Sequence, residues 1–383
     1  MTDHPSRWDA SEDVEARVET LLQRFSLQQK IDLVSGKVVV ASDPWSPPPP
    51  ESPVPPFSLT DGPAGVRIPS KALGTPNTTA LPAPIAIAAT WDEVLAGRYG
   101  DVIGAETRAN GHNVLLGPAV DIARAPLAGR TFESFGEDPL LQARLVVPVI
   151  RAVQAHAVQA CLKHYVVNNQ EHLRNSIDVR VDERALQEIY LPPVEAAVRA
   201  GGVAALMGAY NSINGTFACE HPHTLTEVLR GQLGFRGYVM SDFMATQSTA
   251  EAALAGLDWE LTMFGRWGPK LLAAVEDGRV PLEVLDEMVR RILRPTVGLG
   301  LLDQPLGATP APLHEHRALA REAAEQAIVL LKNEGALLPL TPRDLRRIAV
   351  IGPDADNISA AGGGSGLVPP SSAVSVVDGL RAR

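Results

Sequence analysis

The chain of 383 residues predicts an α/β protein: a TIM-like (β/α)8 barrel over residues 1–300, then the start of a second α/β unit. Three observations carry this. Short runs apolar on both faces recur from residue 57 onward: FSLTDG, NVLLGPAVDI, ACLKHYV, VAALMGAY, GYVMSDF and LDWELTM. Amphipathic stretches such as TWDEVLAGRYGDVIGAETRANG and DERALQEIYLPPVEAAVRAG separate them, as helices do when they cover a parallel sheet. Six such steps in about 240 residues suit a closed barrel better than an open doubly wound sheet. Finally, Asp61, Lys163, His164, Tyr210 and Asp242 each sit at the C-terminal end of a run. In parallel α/β folds that edge binds ligands.

Taken in chain order, VEARVETLLQRFSLQQKIDLV gives the first 35 residues helical spacing. Residues 44–56, PWSPPPPESPVPP, are too rich in proline for a helix or strand and predict a stiff extended surface segment. After the barrel's six runs, the Pro/Gly-rich stretch around RPTVGLGLLDQPLGATPAPL marks a boundary, with a linker at 301–313. The second unit, 314–383, opens with a helix (HEHRALAREAAEQAIVLLKNEG), a strand (RIAVIGPDAD) and the glycine-rich AAGGGSG. GGGSG lacks the lysine of a phosphate loop and the helix of a dinucleotide fingerprint.

Composition bounds the function. Hydrophobic residues are 45% and charged residues 20%, which suits a globular core and excludes general disorder or a fibrous repeat. Lys+Arg 34 against Asp+Glu 44 leaves a net charge of −10. That balance repels phosphate backbones and anionic lipid, so neither nucleic acid nor membrane is an expected partner. Cys161 and Cys219 lie in apolar runs and read as buried reduced thiols. A charged N-terminus without an apolar core, and no apolar stretch of about 20 residues, make the expected location cytoplasmic.

Several segments carry candidate chemistry. Asp242 in VMSDF serves as a nucleophile, a general base or an acceptor, or equally as the N-cap of a helix after it. In TDGPAGVR, Asp61 accepts from ligand hydroxyls or forms a turn, with Arg67 placed to pair with it. Lys163 and His164 adjoin after a buried strand, where alternation turns only one inward unless a bulge intervenes. A lysine and a histidine cost a core much and suit polar oxygens well. GRTFESFGEDP offers Arg130 as a clamp, with Glu133, Glu137 and Asp138 forming a loop network rather than a metal shell. No zinc spacing or nucleophile elbow is present, and no cofactor or metal is expected. Acids, basic donors and a tyrosine at one mouth suit a neutral, hydroxyl-rich ligand such as a sugar.

Five collinear segments, PPFSLTDGPAGVR, AGRTFESFGEDP, CLKHYVVNNQEHLRNSIDVRVDERALQEIYLPPVEAAV, MGAYNSINGTFACE and GYVMSDF, resemble the family 3 glycoside hydrolases of the β-glucosidase-like group. The resemblance implies a barrel followed by an α/β sandwich, here incomplete, with the active site between them and no metal. It implies a retaining β-glycosidase acting on terminal β-D-glycosides, with Asp242 as nucleophile. It places Asp61, Arg67, Arg130, Lys163, His164 and Tyr210 in the subsite for the non-reducing sugar, Asp61 accepting from hydroxyls and Arg130, Lys163 and His164 donating to them. Retention needs a carboxylate and an acid about 5–5.5 Å apart.

Two departures stand out. Phe243 follows the nucleophile where relatives commonly carry Trp. The acid/base Glu of such relatives lies beyond residue 383, and the N-acetylglucosaminidase branch's K-H-x-P-G-H-G loop is KHYVVNNQEH here. The expected partner is a small-molecule or oligosaccharide β-glycoside. The alternatives are a catalytically incomplete sugar-binding protein, one part of a split glycosidase completed by a C-terminal portion, or a self-associating chain.

Overall fold

The computed structural model describes residues 8, 12–37, 45–46, 52–68, 78–262, 265–304, 306, 310–341, 347–358, 362–370 and 372–382. The strands in chain order are β1 Ser35–Lys37, β2 Trp45–Ser46, β3 Phe57–Asp61, β4 Val114–Leu116, β5 Gln159–Tyr165, β6 Asp178–Val179, β7 Ala205–Gly208, β8 Ser212–Ile213, β9 Thr216–Phe217, β10 Tyr238–Ser241 and β11 Glu260–Thr262. One sheet runs β10-β7-β5-β4-β3-β2, parallel except for β2, which pairs antiparallel with β3. A parallel bridge from Met240 to Trp259 carries it on to β11, which pairs with β1, and β1 lies against β2. The ring is therefore a barrel of the expected kind. Each of the six apolar runs holds one of its strands, because a strand buried on both faces has no polar alternation. The short strands β6, β8 and β9 form a separate small sheet on the mouth-side loops.

Aromatic packing fills the interior. Phe57 meets Trp259 edge to face at 5.2 Å between ring centres, and Tyr238 tilts onto Trp259 at 5.6 Å. The buried Tyr238 hydroxyl donates to Gln159 Oε1 at 2.6 Å, satisfying what burial would otherwise leave unpaired. Outside the ring, helices α1 Glu12–Leu22, α2 Leu27–Val34, α3 Pro84–Thr90, α4 Glu93–Ala109 and α5 Pro139–Ala155 lead a helical cover. Asp92 and Asp138 cap the starts of α4 and α5 by accepting backbone N–H bonds. Asp138 is thus a structural cap.

Three expectations change. The N-terminal helix is two helices, because Ser26 and Gln29 form a reciprocal capping box that starts α2 afresh. The Pro-rich segment contributes β2 near its start, while residues 47–51 lie outside the described residues. After the barrel, the helix Leu313–Ala327 ends before Ile328, and no strand forms over the described part of RIAVIGPDAD. A strand needs a neighbour to take its hydrogen bonds; Ile351 is 92% exposed, and among the described residues no strand pairs with this segment. Both cysteines are free and buried, and burial pushes each thiol well above its usual range. Among the described residues, no helix is long and apolar enough to cross a membrane.

Candidate active site

Strand ends and the loops after them deliver the polar groups to one mouth. Asp61 is the last residue of β3, and the TDGPAGVR turn folds back so that Arg67 N donates to Asp61 O at 2.9 Å. Arg67 Nη1 donates to Asp61 Oδ2 at 3.0 Å, and Lys163 Nζ lies 3.4 Å from Oδ1. Asp61 is held as an anion-acceptor between two cations.

The ladder between β5 and β7 slips by one residue between Leu162 and Tyr165. This bulge frees Lys163 and His164 from strict alternation, and both line the same cavity. His164 Nδ1 lies 2.8 Å from Asp121 Oδ2, and Arg130 Nη1 lies 3.2 Å from His164 Nε2. Arginine only donates, so Nε2 carries a lone pair and the imidazole proton sits on Nδ1, directed at Asp121. Burial first, then the charge on Arg130, pulls His164 down to about 3, which keeps it neutral. Burial pushes Asp121 up to about 7, opposed by Arg130, by the His164 backbone N–H and by Lys163.

Asp242 follows β10. Its Oδ1 accepts the Phe243 N–H at 2.6 Å, and its Oδ2 lies 3.4 Å from His164 Nε2. It caps no helix, because the next one, Ala250–Ala255, begins only after Thr249. Tyr210, just past β7, lies beside Asp242 on the cavity wall. Burial, followed by that carboxylate's charge, holds the phenol far above its ordinary range, so Tyr210 stays a donor.

Arg130 and Glu133 come from the loop after β4. Burial lowers the Arg130 guanidinium, but Glu133, 2.6 Å from Nη2, outweighs it and raises the group overall. Burial likewise works against Glu133, yet Lys163 and Arg130 hold its carboxyl below the usual range.

These groups surround a cavity of about 470 Å³. All eight residues expected from the sequence line it: Asp61, Arg67, Arg130 and Lys163, together with His164, Tyr210, Asp242 and the half-buried Phe243. Sequence reasoning missed others. Arg174 places its guanidinium 4.4 Å above the Tyr210 ring and pairs with Glu171 at 2.9 Å; it lies in an irregular loop with no periodic signal. Asp121 stands behind His164 rather than on the cavity wall; it lies past the end of β4, where no strand-end signal marks it. Ser365, in the glycine-rich segment set aside as weak, lines the cavity with Gly363 and Gly364. Glu133 was expected as Arg130's loop partner, not as a cavity wall. Among the described residues, no group of three or more His, Cys, Asp or Glu side chains could hold a metal ion.

Comparison with known proteins agrees with this architecture. Residues 70–295 match the glycosyl hydrolase family 3 N terminal domain, and residues 328–383 match the family 3 C-terminal domain. A β-glucosidase of Rhizobium radiobacter is 41% identical over 371 residues, covering 95% of this chain and 44% of that protein. A Bacteroides ovatus β-glucosidase is 37% identical over 408 residues, covering 99% and 54%. The structure of β-glucosidase 3B from Thermotoga neapolitana in complex with glucose superposes with a TM-score of 0.89 at 36% identity, covering 96% of this chain and 54% of that one. The chain spans about half the length of the relatives it matches. A family match across most of the barrel, with these structural neighbours, shows that the chain belongs to glycosyl hydrolase family 3.

Proposed function

We propose that the cavity holds the non-reducing sugar of a β-D-glycoside, as in a β-glucosidase, and that Asp242 is the nucleophile of a retaining reaction. The observation that carries this is the setting of Asp242 at the cavity wall, with one oxygen bonded to a backbone N–H and the Tyr210 donor beside it. A fixed backbone donor holds the carboxylate in the orientation that attack on an anomeric carbon requires. Around it, Asp61 accepts from sugar hydroxyls, while Lys163 and Arg130 donate. His164, with its proton turned to Asp121 and its Nε2 lone pair taken by Arg130, orients that guanidinium toward the sugar rather than donating to a hydroxyl. Phe243 supplies the apolar face against the ring.

Double displacement also needs a protonated acid above the leaving oxygen. Glu133 does not supply it, since Lys163 and Arg130 keep it ionised, and Asp61 is paired with Arg67 and Lys163. We assign that role to an acid outside the described cavity groups, the second-domain glutamate that the family resemblance implies. The ionised state of Glu133 favours a second reading of the cavity: a sugar-binding site that turns over slowly.

Incubation with a 2-fluoro-β-glucoside, followed by intact mass measurement, tests the nucleophile. The chain should gain one fluoroglycosyl mass, and Asp242→Asn should gain none. Labelling that persists in the variant removes Asp242 from the role. Glucose binding by calorimetry without any labelling of the wild-type chain would favour the second reading. Nitrophenyl glucosides, whose leaving group needs little protonation, should turn over faster than alkyl glucosides; equal, rapid turnover of both would refute the external acid.

A further inference from the structure

The segment least interpretable from its sequence, GGGSG at 362–366, makes the contacts that tie the far end of the chain to the cavity. Ser365 Oγ lies 3.0 Å from both carboxylate oxygens of Glu133 and accepts from Arg130 Nη2 at 3.1 Å. Arg130 Nη2 also donates to Glu133 Oε2 at 2.6 Å. The three side chains close a cycle across more than 230 residues of sequence, and Glu133 is the member with the least exposure, 3% for its side chain. A buried carboxylate without partners is costly, so Glu133 holds both of them.

The glycines explain how the backbone comes so near. A Cβ on Gly362 would stand 2.6 Å from Phe132 Cε2, and one on Gly366 would stand 2.8 Å from the same atom. The loop therefore clasps the edge of the Phe132 ring, next in sequence to Thr131 and Arg130, and only glycine permits that approach at either end. Gly364, at φ +58°, makes the turn that aims Ser365 inward. Phe132 and Glu133 together anchor the loop by packing and by charge.

We infer that Glu133 is a positioning residue that couples docking of the 362–366 loop to the grip of Arg130 on the sugar, so that each strengthens the other. This rests on the sugar-site reading above. Arg130 has donors in a fixed plane, and two of its contacts, to His164 Nε2 and to the Glu133–Ser365 pair, set the orientation of that plane. If the loop lifts, Nη2 loses Ser365 and Glu133 loses its hydroxyl donor, so the plane that Glu133 and His164 still hold is less tightly fixed. If a sugar hydroxyl fixes Arg130, the surface that receives Ser365 is fixed as well. Such coupling is reciprocal: sugar must tighten the loop by the factor by which the loop tightens sugar.

Two measurements test this separately. In the first, the concentration dependence of 2-fluoroglucoside labelling is divided into an apparent binding constant and a rate at saturation. Ser365→Ala removes the hydroxyl, and Gly366→Ala pushes the loop off Phe132 while adding no charge, its Cβ meeting Glu133 Oε1 only at an ordinary 3.8 Å. Both should weaken apparent binding about tenfold, one hydrogen bond's worth, with the saturating rate unchanged within about twofold. Glu133→Gln should weaken it further. Unchanged binding in Ser365→Ala and Gly366→Ala would overturn the coupling, because a merely structural role does not divide binding from rate.

The second measurement is amide hydrogen exchange over residues 362–368, which needs no turnover. Exchange there should slow on adding glucose to the wild-type chain and speed up in Glu133→Gln. Exchange unaffected by Glu133→Gln would overturn the latch whatever the sugar does. A wild-type chain that neither labels nor binds glucose would sink the sugar reading and the coupling with it, while exchange in the variant still decides whether Glu133 holds the loop.

Discussion

Protonation at this site is set by neighbours rather than by residue type. The unfolded His164 imidazole titrates near 6.5 and the folded one near 3, because burial and then Arg130 disfavour its charge. Between those values the unfolded chain binds a proton that the folded chain does not, so this group's contribution to stability grows as pH rises from about 3 to 6.5. Asp121 works the other way. Its folded value near 7 lies above 3.8, so the folded chain holds the extra proton and its contribution falls as pH rises through that window. Where the windows overlap, the two slopes oppose each other, and the wild-type chain should show little net dependence from this pair. Asp121→Asn keeps an oxygen for the Nδ1 proton and removes the opposing titration. Its Tm, relative to wild type, should rise steadily from pH 4.5 to 6.5; a difference independent of pH would refute the assignment. None of this was legible in the sequence, because KHYVVNNQEH and AVDIARAP give no sign that the two side chains meet. The eight cavity residues were legible, because six of them lie at the ends of apolar runs and the other two, Arg67 and Arg130, sit in the motifs that carry the family resemblance.

Elements were readable where burial alone sets the pattern and unreadable where a local device intervenes. The six barrel runs each yielded a strand, while the break between α1 and α2 depends on one Ser–Gln capping pair inside an otherwise helical pattern. The contact of α4 with α5 is a further device that apolar periodicity does not reveal. On α4, a Cβ at Gly100 would meet the Val149 carbonyl oxygen of α5 at 2.6 Å, and one at Gly97 would meet only Pro148 Cβ at 3.5 Å. Backbone cannot yield as a side-chain tip does. Gly100→Ala should therefore destabilise by about 1–3 kcal/mol through overpacking, outweighing the gain in helix propensity. Gly97→Ala meets ordinary contact and should gain up to about 1 kcal/mol from that same propensity. Urea midpoints of the two variants test the pair; shifts of the same sign would mean that the helices separate easily and that the close approach is not tight.

At the scale of the molecule, one continuous apolar core runs from Val14 in α1 to Ala323 in the helix Leu313–Ala327, and among the described residues it takes in nothing after residue 327. That helix is joined to the barrel by Leu319 and Ala323 and by a buried polar clamp. Glu106 of α4 accepts from Thr79 N at 2.7 Å and Thr79 Oγ1 at 2.6 Å, and lies 2.7 Å from His316 Nδ1. Arg98 adds a bidentate pair with Glu322 at the surface, which contributes less. Beyond the helix the balance reverses, with Ile328 80%, Leu331 91% and Leu337 72% exposed. Few buried contacts mean cheap local opening, so protection against exchange should fall sharply after residue 327. Amides of 328–341 and 347–358 should exchange quickly, those of the barrel strands only through global unfolding, and those around Ser365 at an intermediate rate set by the Glu133 contact. His316→Ala leaves Glu106 buried with one partner fewer, which costs about 1–3 kcal/mol, and should speed exchange across 313–327 while sparing β3 to β5. If 328–341 were as protected as the strands, or if His316→Ala loosened barrel and helix equally, the division of the chain into a cooperative core and a weakly held extension would be wrong.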